Sequence, residues 1–151
     1  MLAFRDIPKS ALILGVAGLL PFVWGVLTMY SEAAAALTLD TIGPRFVGPF
    51  VGLNYGQLIL AFMSGVLWGY STKAEGSQAA TGYALSVIPV LWVFFMVGGG
   101  PTTAAMNLIF AFVGLLGLDY AFWNWGLAPR WWMALRILLT VGVVACLLPI
   151  I

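Results

Sequence analysis

The side chains that could do chemistry are few, and most of them lie near the C-terminal end. The stretch WNWGLAPRWW at 123–132 holds four of the seven tryptophans, with Asp119 before it and Arg136 after it. Indole rings can stack on a quinone, a lipid or a pigment, and a carboxylate opposite a guanidinium can form an ion pair. The stretch could therefore be a binding platform, a reaction pocket or a device that holds the protein at a membrane surface.

An acid–base reaction on a lipid or quinone would need ionisable groups in one place. The candidates besides Asp119 are Tyr55, Glu32 and Asp40, which are scattered along the chain. There is no histidine, the usual base near neutral pH and a common ligand of haem, zinc and copper. Cys146 is the only cysteine and lies in the apolar run ACLLPII, which is typical of a small buried hydrophobe. The sequence therefore predicts no catalytic residue, no metal ligand, no cofactor and no enzymatic activity.

The composition indicates the solvent in which these residues must be positioned. Hydrophobic residues make up 63% of the chain and charged residues 7%, whereas a soluble domain carries roughly 25% charged residues. Because so little charge would not cover the surface of a soluble domain, the expected solvent is a lipid bilayer. A net charge of +1, with its basic residues scattered, excludes a surface that binds nucleic acid.

The uncharged runs predict an all-α integral membrane protein, a single transmembrane domain over 1–151 folded as a compact bundle of about five helices. A helix of about 20 apolar residues crosses the hydrocarbon, and such runs occupy about 10–30, 51–70, 79–97, 102–120 and 131–148. The first run is longer than the core of a signal peptide, so we expect it to be a retained span. Pro21 should kink it, because proline removes a helical hydrogen bond. The segment 31–46 could add a short helix at the surface.

Basic residues at the ends of the spans predict how the bundle is inserted. The N-terminal side and the connections from span two to three and from span four to five share five of them: Arg5, Lys9, Lys73, Arg130 and, just inside the fifth helix, Arg136. The opposite side has only Arg45. Because cytoplasmic segments collect lysine and arginine, we expect the N-terminus in the cytoplasm (or mitochondrial matrix) and the C-terminus outside.

Small residues at four-residue spacing predict where helices pack closely. Such residues let backbones approach in lipid, where dispersion and weak hydrogen bonds hold helices together. The set consists of Gly52, Gly56, Gly65, Gly69, Gly82 and Ser86. Packing within the bundle is the expected role, and docking to the span of a partner is the alternative.

Three amide side chains fall inside predicted spans. Asn54 and Gln57 are three residues apart and so share a helix face, and Asn107 lies in the fourth helix. An amide in hydrocarbon must find a hydrogen-bond partner, so these residues are expected to join helices or, alternatively, to line the path of a small solute. No carboxylate or lysine lies deep in a span, which disfavours ion-coupled transport.

The tryptophan-rich stretch is then explained best as an interfacial belt. Tryptophan favours the headgroup zone of a membrane, so Trp123 and Trp125 would anchor the end of one helix, and Trp131 and Trp132 the start of the next. The belt does not account for Asp119 and Arg136, which face each other across the hairpin. We expect these two residues to form a structural ion pair.

Three stretches resemble a family of small multi-pass membrane proteins of unknown function, with proteobacterial members and a mitochondrial relative of the transmembrane protein 69 type. They are IPKSALILGVAGLLPF at 7–22, YGQLILAFMSGVLWG at 55–69, and LDY with APRWWMALRILLT within 118–140. In the last stretch the positions on the family pattern are Asp119, Ala128, Pro129, Trp131, Leu135, Arg136 and Thr140. Trp132 replaces an expected tyrosine, and Leu67 an expected polar or basic residue. The resemblance implies about five helices in an energy-converting membrane and supplies no catalytic residue.

The sequence thus favours a non-enzymatic accessory, scaffold or assembly subunit of a larger respiratory, photosynthetic or transport complex. The expected location is a bacterial inner membrane, and the expected partners are lipid and other transmembrane proteins or a second copy of the chain. The alternative is a small homo-oligomeric channel or carrier that uses Asn54, Gln57 and Asn107.

Overall fold

The computed structural model describes residues 4–151, and helices make up most of them. The eight α-helices of this part of the chain are α1 (Lys9–Ala17), α2 (Leu20–Tyr30), α3 (Glu32–Thr41), α4 (Phe50–Ser71), α5 (Gly76–Ser86), α6 (Ile88–Met96), α7 (Pro101–Asn124) and α8 (Trp132–Leu147). Short 3-10 helices occupy Phe4–Asp6, Pro44–Phe46 and Leu148–Ile150. The first three residues of the predicted domain lie outside the described part.

Five helical segments are long and apolar enough to cross a membrane. They run over Lys9–Tyr30, Phe50–Ser71, Gly76–Met96, Pro101–Asn124 and Trp132–Ile150. The predicted fold class, an all-α integral membrane protein with five spans, is therefore confirmed. The fourth helix continues four residues beyond the predicted end at 120, so that Trp123 belongs to α7 and not to the connection.

Proline divides two of the five spans into paired helices. α1 ends at Ala17 and α2 begins at Leu20, because Pro21 has no N–H for the Ala17 carbonyl and its ring crowds that turn. The kink predicted at Pro21 is therefore present. Pro89 divides the third span between α5 and α6 in the same way, and here the prediction of one continuous helix was wrong.

α4 lies at the centre of the bundle and packs against α2, α5, α6, α7 and α8. Its inward face carries Leu60, Met63 and Leu67, which are almost completely buried, and Phe112 of α7 lies in the same core. Residues three and four apart share a helix face, so this spacing produces one continuous apolar stripe. The α7–α8 hairpin, which carries Asp119 and Arg136, packs against α4.

A short surface helix follows the first span, as the sequence indicated. The Ser31 hydroxyl accepts a hydrogen bond from the Ala34 N–H at 3.3 Å and caps α3, a usual role for serine at a helix start. The chain then turns back to α4 through Gly48, whose N–H donates to the Thr28 hydroxyl at 2.8 Å. A β-carbon at Gly48 would overlap the Gly25 carbonyl oxygen, so only glycine fits this corner.

The connections and the ends of the described chain fall at two ends of the bundle. At one end Ile7 packs on Ala134 and Leu135 of α8, and Lys73 Nζ donates to the Leu127 carbonyl at 3.2 Å. This end therefore gathers the N-terminal segment, the α4–α5 connection and the α7–α8 connection. At the other end, the Thr102 hydroxyl donates to the Ile150 carbonyl at 3.3 Å.

Candidate functional site

A buried polar cluster links α7 and α8 near their shared connection. Arg136 Nε donates to Asp119 Oδ2 at 2.7 Å, and Trp132 Nε1 donates to Asp119 Oδ1 at 2.9 Å. Asp119 has no exposed surface and Arg136 is 4% exposed. Each carboxylate oxygen thus receives one donor, which is the arrangement that a buried charge requires. The structure brings together Asp119 and Arg136, the two residues predicted to pair.

The α7–α8 connection sets the geometry of this cluster. α7 ends at Asn124, and Gly126 adopts a positive φ of 74° that reverses the chain, a backbone conformation that glycine adopts readily. The N–H groups of Leu127 and Ala128 both donate to the Phe122 carbonyl, at 3.0 and 3.3 Å. The short, hydrogen-bonded turn places the start of α8 beside the last turns of α7.

Trp132 does not belong to the predicted interfacial belt, and its prediction is corrected. Its side chain is buried, with 9% of the residue exposed, and its ring meets the ring of Tyr70 edge-on with centroids 5.3 Å apart. Its N–H donates to Asp119 Oδ1, the carboxylate oxygen that Arg136 Nε does not reach. Trp132 and Arg136 are four residues apart on one face of α8, and this spacing was the sequence signal for their shared role.

The other three tryptophans of the stretch are partly exposed. Trp123 Nε1 donates to the Arg130 carbonyl at 3.1 Å and so closes the turn. Trp125 packs on Phe122 with ring centroids 5.5 Å apart, and Trp131 lies against Trp132. Their place in a headgroup belt stays a prediction.

A cavity of about 400 Å³ opens beside the cluster, between the first span, α4, α7 and α8. Its walls are mostly apolar and include Phe22, Tyr55 and Phe112. Arg136 and Thr140 line it as well, and both are buried side chains of α8. Thr140 follows Arg136 by four residues and so continues the same helix face, a signal for a shared position that the sequence contains.

The small residues predicted to pack between helices divide into two groups. A β-carbon at Gly56 would lie 3.3 Å from Leu108 Cδ1, and one at Gly82 would lie 2.7 Å from Ser71 Oγ. A β-carbon at Gly52 would lie 3.8 Å from Phe22 Cδ1. Ser86 is fully buried. These four residues lie against neighbouring helices.

Gly65 and Gly69 do not pack inside the bundle, so the expected role was wrong for these two residues, and docking to the span of a partner stays a prediction. A β-carbon at either position would meet no atom of residues 4–151 within 4 Å, and both residues are exposed. The reason is helical geometry: Gly65 is nine residues beyond Gly56, and at about 100° per residue the two point in opposite directions. Gly65 and Gly69 therefore face away from the protein.

The three intramembrane amides have separate surroundings. Asn54 lines a second cavity, of about 600 Å³, between α2 and α4. Gln57 donates to the Leu53 carbonyl of its own helix at 3.3 Å. Asn107 of α7 donates to the Met96 carbonyl at 2.8 Å and so joins α7 to the end of α6. Their contacts thus differ in partner and in position.

Across residues 4–151, no group of three histidine, cysteine, aspartate or glutamate side chains is placed to hold a metal ion. Arg136 and Thr140, which line the cavity of about 400 Å³, are donors that suit a molecule with oxygen acceptors.

Comparison with known proteins places the chain in a family. The family model described as "Protein of unknown function (DUF3429)" matches residues 7–151. The chain is 34% identical over 149 residues to transmembrane protein 69 of Xenopus tropicalis, covering 94% of this chain and 53% of that protein. It is 32% identical over 145 residues to transmembrane protein 69 of Mus musculus, covering 90% of this chain and 53% of that protein.

The chain spans about half the length of these curated relatives. No solved structure matches it. The resemblance found in the sequence is confirmed, and the chain belongs to the DUF3429 family of multi-pass membrane proteins, to which transmembrane protein 69 is similar over nearly the whole of this chain.

Proposed function

We propose that this protein is a non-enzymatic accessory, scaffold or assembly subunit that binds another transmembrane protein within the bilayer. The observation that carries the proposal is the outward face of α4. This face consists of Ala61, Gly65 and Gly69, with Leu58, Phe62 and Trp68 beside them, and every one of these residues is exposed. α4 is the central helix of the bundle, yet it offers a partner a face of small residues.

A transmembrane helix is the partner that such a face suits. Between the large side chains of Phe62 and Trp68, the glycines leave the α4 backbone uncovered, because no atom in the described part of the chain lies within 4 Å of a β-carbon built on either glycine. In lipid, helices associate where small residues let their backbones approach. The face carries no ionisable residue, so the expected partner surface is apolar and itself rich in small residues.

The proposed location is a bacterial inner membrane, with the N-terminus in the cytoplasm. The N-terminal segment, the α4–α5 connection and the α7–α8 connection lie at one end of the bundle. That end carries Arg5, Lys9, Lys73 and Arg130, and lysine and arginine collect on the cytoplasmic side. The proposal predicts that a cysteine reagent that does not cross membranes labels Thr102→Cys from outside and leaves Lys73→Cys unlabelled.

The test of the accessory role is extraction of the tagged protein from its native membrane in a mild detergent, followed by a native gel and mass spectrometry. We expect migration with a larger complex, and its loss in Gly65→Leu and Gly69→Leu. The matched control is Gly117→Leu, because Gly117 is also an exposed helical glycine, on α7, with nothing within 4 Å. Migration of the wild-type protein as a monomer would contradict the proposal.

The channel alternative gains no specific support from the structure. It expects Asn54, Gln57 and Asn107 to line one path. Asn54 instead lines the α2–α4 cavity, Gln57 bonds its own helix and Asn107 bonds Met96. We therefore do not propose it as a second function.

A further inference from the structure

We infer that the cavity beside Arg136 and Thr140 binds an apolar molecule that presents a neutral carbonyl oxygen to these two side chains. The cavity of about 400 Å³ is within the roughly 300–1,000 Å³ of small-molecule sites. This site lies apart from the outward face of α4 that is proposed to bind a partner helix, except that Phe62 borders both.

Two polar atoms of the residues that line the cavity lack a hydrogen-bond partner in the described structure. Arg136 Nη2 and Thr140 Oγ1 are buried, and neither makes a hydrogen bond to any residue that the structure describes. Arg136 is 4% exposed and Thr140 is 3% exposed. A buried donor without an acceptor costs free energy, so such atoms point to a ligand that would satisfy them.

Thr140 is unusual among the buried hydroxyls of this protein. Thr38 donates to the Ala34 carbonyl, and Ser71 donates to the Leu67 carbonyl at 2.9 Å. Both use the carbonyl four residues earlier in their own helix, which is the ordinary solution in an apolar interior. Thr140 does not use the equivalent carbonyl of Arg136, and it is one of the residues that line the cavity.

The charge of the site selects a neutral ligand. The positive charge of Arg136 is already balanced by Asp119, at 2.7 Å. A carboxylate or phosphate ligand would leave an uncompensated negative charge in an apolar site, which is costly. A carbonyl oxygen accepts hydrogen bonds from Nη2 and Oγ1 without adding charge, and arginine and threonine four residues apart can both reach it.

The walls and the mouth of the cavity indicate how the ligand would enter. Leu14 of α1 and Phe62 of α4 line it and are 73% and 66% exposed, so it opens on the lipid-facing surface. Inside, Phe22 lies between Tyr55 and Phe112, with ring centroids at 5.4 and 6.3 Å. An apolar molecule could pass from the bilayer along these aromatic walls to the two donors.

A quinone carries such a carbonyl in its ring, and an acyl lipid carries one in its ester. The test uses the full chain in nanodiscs of ether-linked phospholipid, which contains no carbonyl. The two probes are a benzoquinone with a decyl tail and dioctanoylglycerol, with decylbenzene and decanoate as controls, and binding is measured by titration. Saturable binding of either carbonyl probe supports the inference and identifies the source, provided that decylbenzene does not bind.

The variants test the contacts directly. Thr140→Val keeps the shape and removes one donor, so we expect about a three- to tenfold weaker affinity. Ile59→Trp fills the cavity from its α4 wall and should abolish binding. Thr38→Val is the matched control, since its hydroxyl lies outside the cavity, and it should bind as the wild type does.

Three results would overturn the inference. They are no saturable binding of either carbonyl probe beyond that of decylbenzene, an equal affinity in Thr140→Val and the wild type, and binding of decanoate in preference to both. Size-exclusion profiles identify any variant that fails to fold. If Thr140→Val does not fold, the binding result of Ile59→Trp decides, and if Ile59→Trp does not fold, that of Thr140→Val decides.

Discussion

At the residue scale, the fold depends on one buried carboxylate and the two donors that satisfy it. Trp132 Nε1 donates a hydrogen bond to Asp119 Oδ1, and Arg136 Nε donates one to Asp119 Oδ2. The pairing of Asp119 with Arg136 could be predicted because both flank a short hairpin. The role of Trp132 was missed, because tryptophan near a membrane surface has a common alternative explanation as an anchor.

The ion pair predicts strong coupling between its partners. Asp119→Asn or Arg136→Gln alone should lower the free energy of unfolding by about 3 kcal/mol, because each leaves a buried charge without its partner. The double variant should lose clearly less than the sum. Unfolding by a denaturing detergent in mixed micelles measures this cycle, and additive losses would show that the pair contributes nothing of its own.

Trp132 should matter through its N–H as well as through its ring. Trp132→Phe removes the donor to Asp119 and is expected to cost about 2 kcal/mol, as a hydrogen bond to a charged group does. In the matched control, Trp123→Phe, an exposed bond to the Arg130 carbonyl is lost, and the cost should be smaller. Equal losses in the same unfolding assay would refute a special role for Trp132.

Removal of the Thr140 hydroxyl should change the free energy of unfolding in the opposite direction to removal of the Thr38 hydroxyl. Without a ligand its hydroxyl has no partner in the described structure, so Thr140→Val should raise the free energy of unfolding by about 1 kcal/mol. Thr38→Val should lower it, because it removes a bond to the Ala34 carbonyl. A loss of stability in Thr140→Val, measured in ligand-free micelles, would contradict the assignment of an unsatisfied donor.

At the scale of elements, proline and glycine decide where helices bend and meet. The break at Pro21 was predictable from the ring chemistry of proline, and the same argument applied to Pro89 would have predicted the second break. The outward direction of Gly65 and Gly69 was also accessible, since about 100° per residue separates them from Gly56 by half a turn. The spacing of small residues indicates that they share a helix face. It does not indicate which neighbour that face contacts.

The corner between α3 and α4 supplies the sharpest test at this scale. Gly48→Ala should prevent close packing of the corner on α2, because the new methyl group would overlap the Gly25 carbonyl oxygen. Backbone atoms yield little, so we expect a loss of several kcal/mol, roughly 3 or more, as for other severe core overpacking. Gly69→Ala is the control, with open space around its β-carbon, and an equal stability of the two variants would contradict the packing described.

At the scale of the whole molecule, composition and span length were sufficient to predict five membrane helices. They could not predict the cavity, because it arises from the arrangement of the first span, α4, α7 and α8 around one another. Nor could they show which side chains face out. The bundle satisfies most of its buried polar groups internally, and it presents on α4 a face without a neighbour.

The central claim is that the outward face of α4 contacts another protein in the native membrane. The most direct measurement replaces Trp68, which lies beside Gly65 and Gly69, with benzoylphenylalanine and irradiates intact membranes. Phe94 of α6, which is 77% exposed, receives the same probe as a control. We predict a discrete protein adduct from position 68, lost in the Gly65→Leu background, and only lipid adducts from position 94. Lipid adducts alone from both positions would contradict the account.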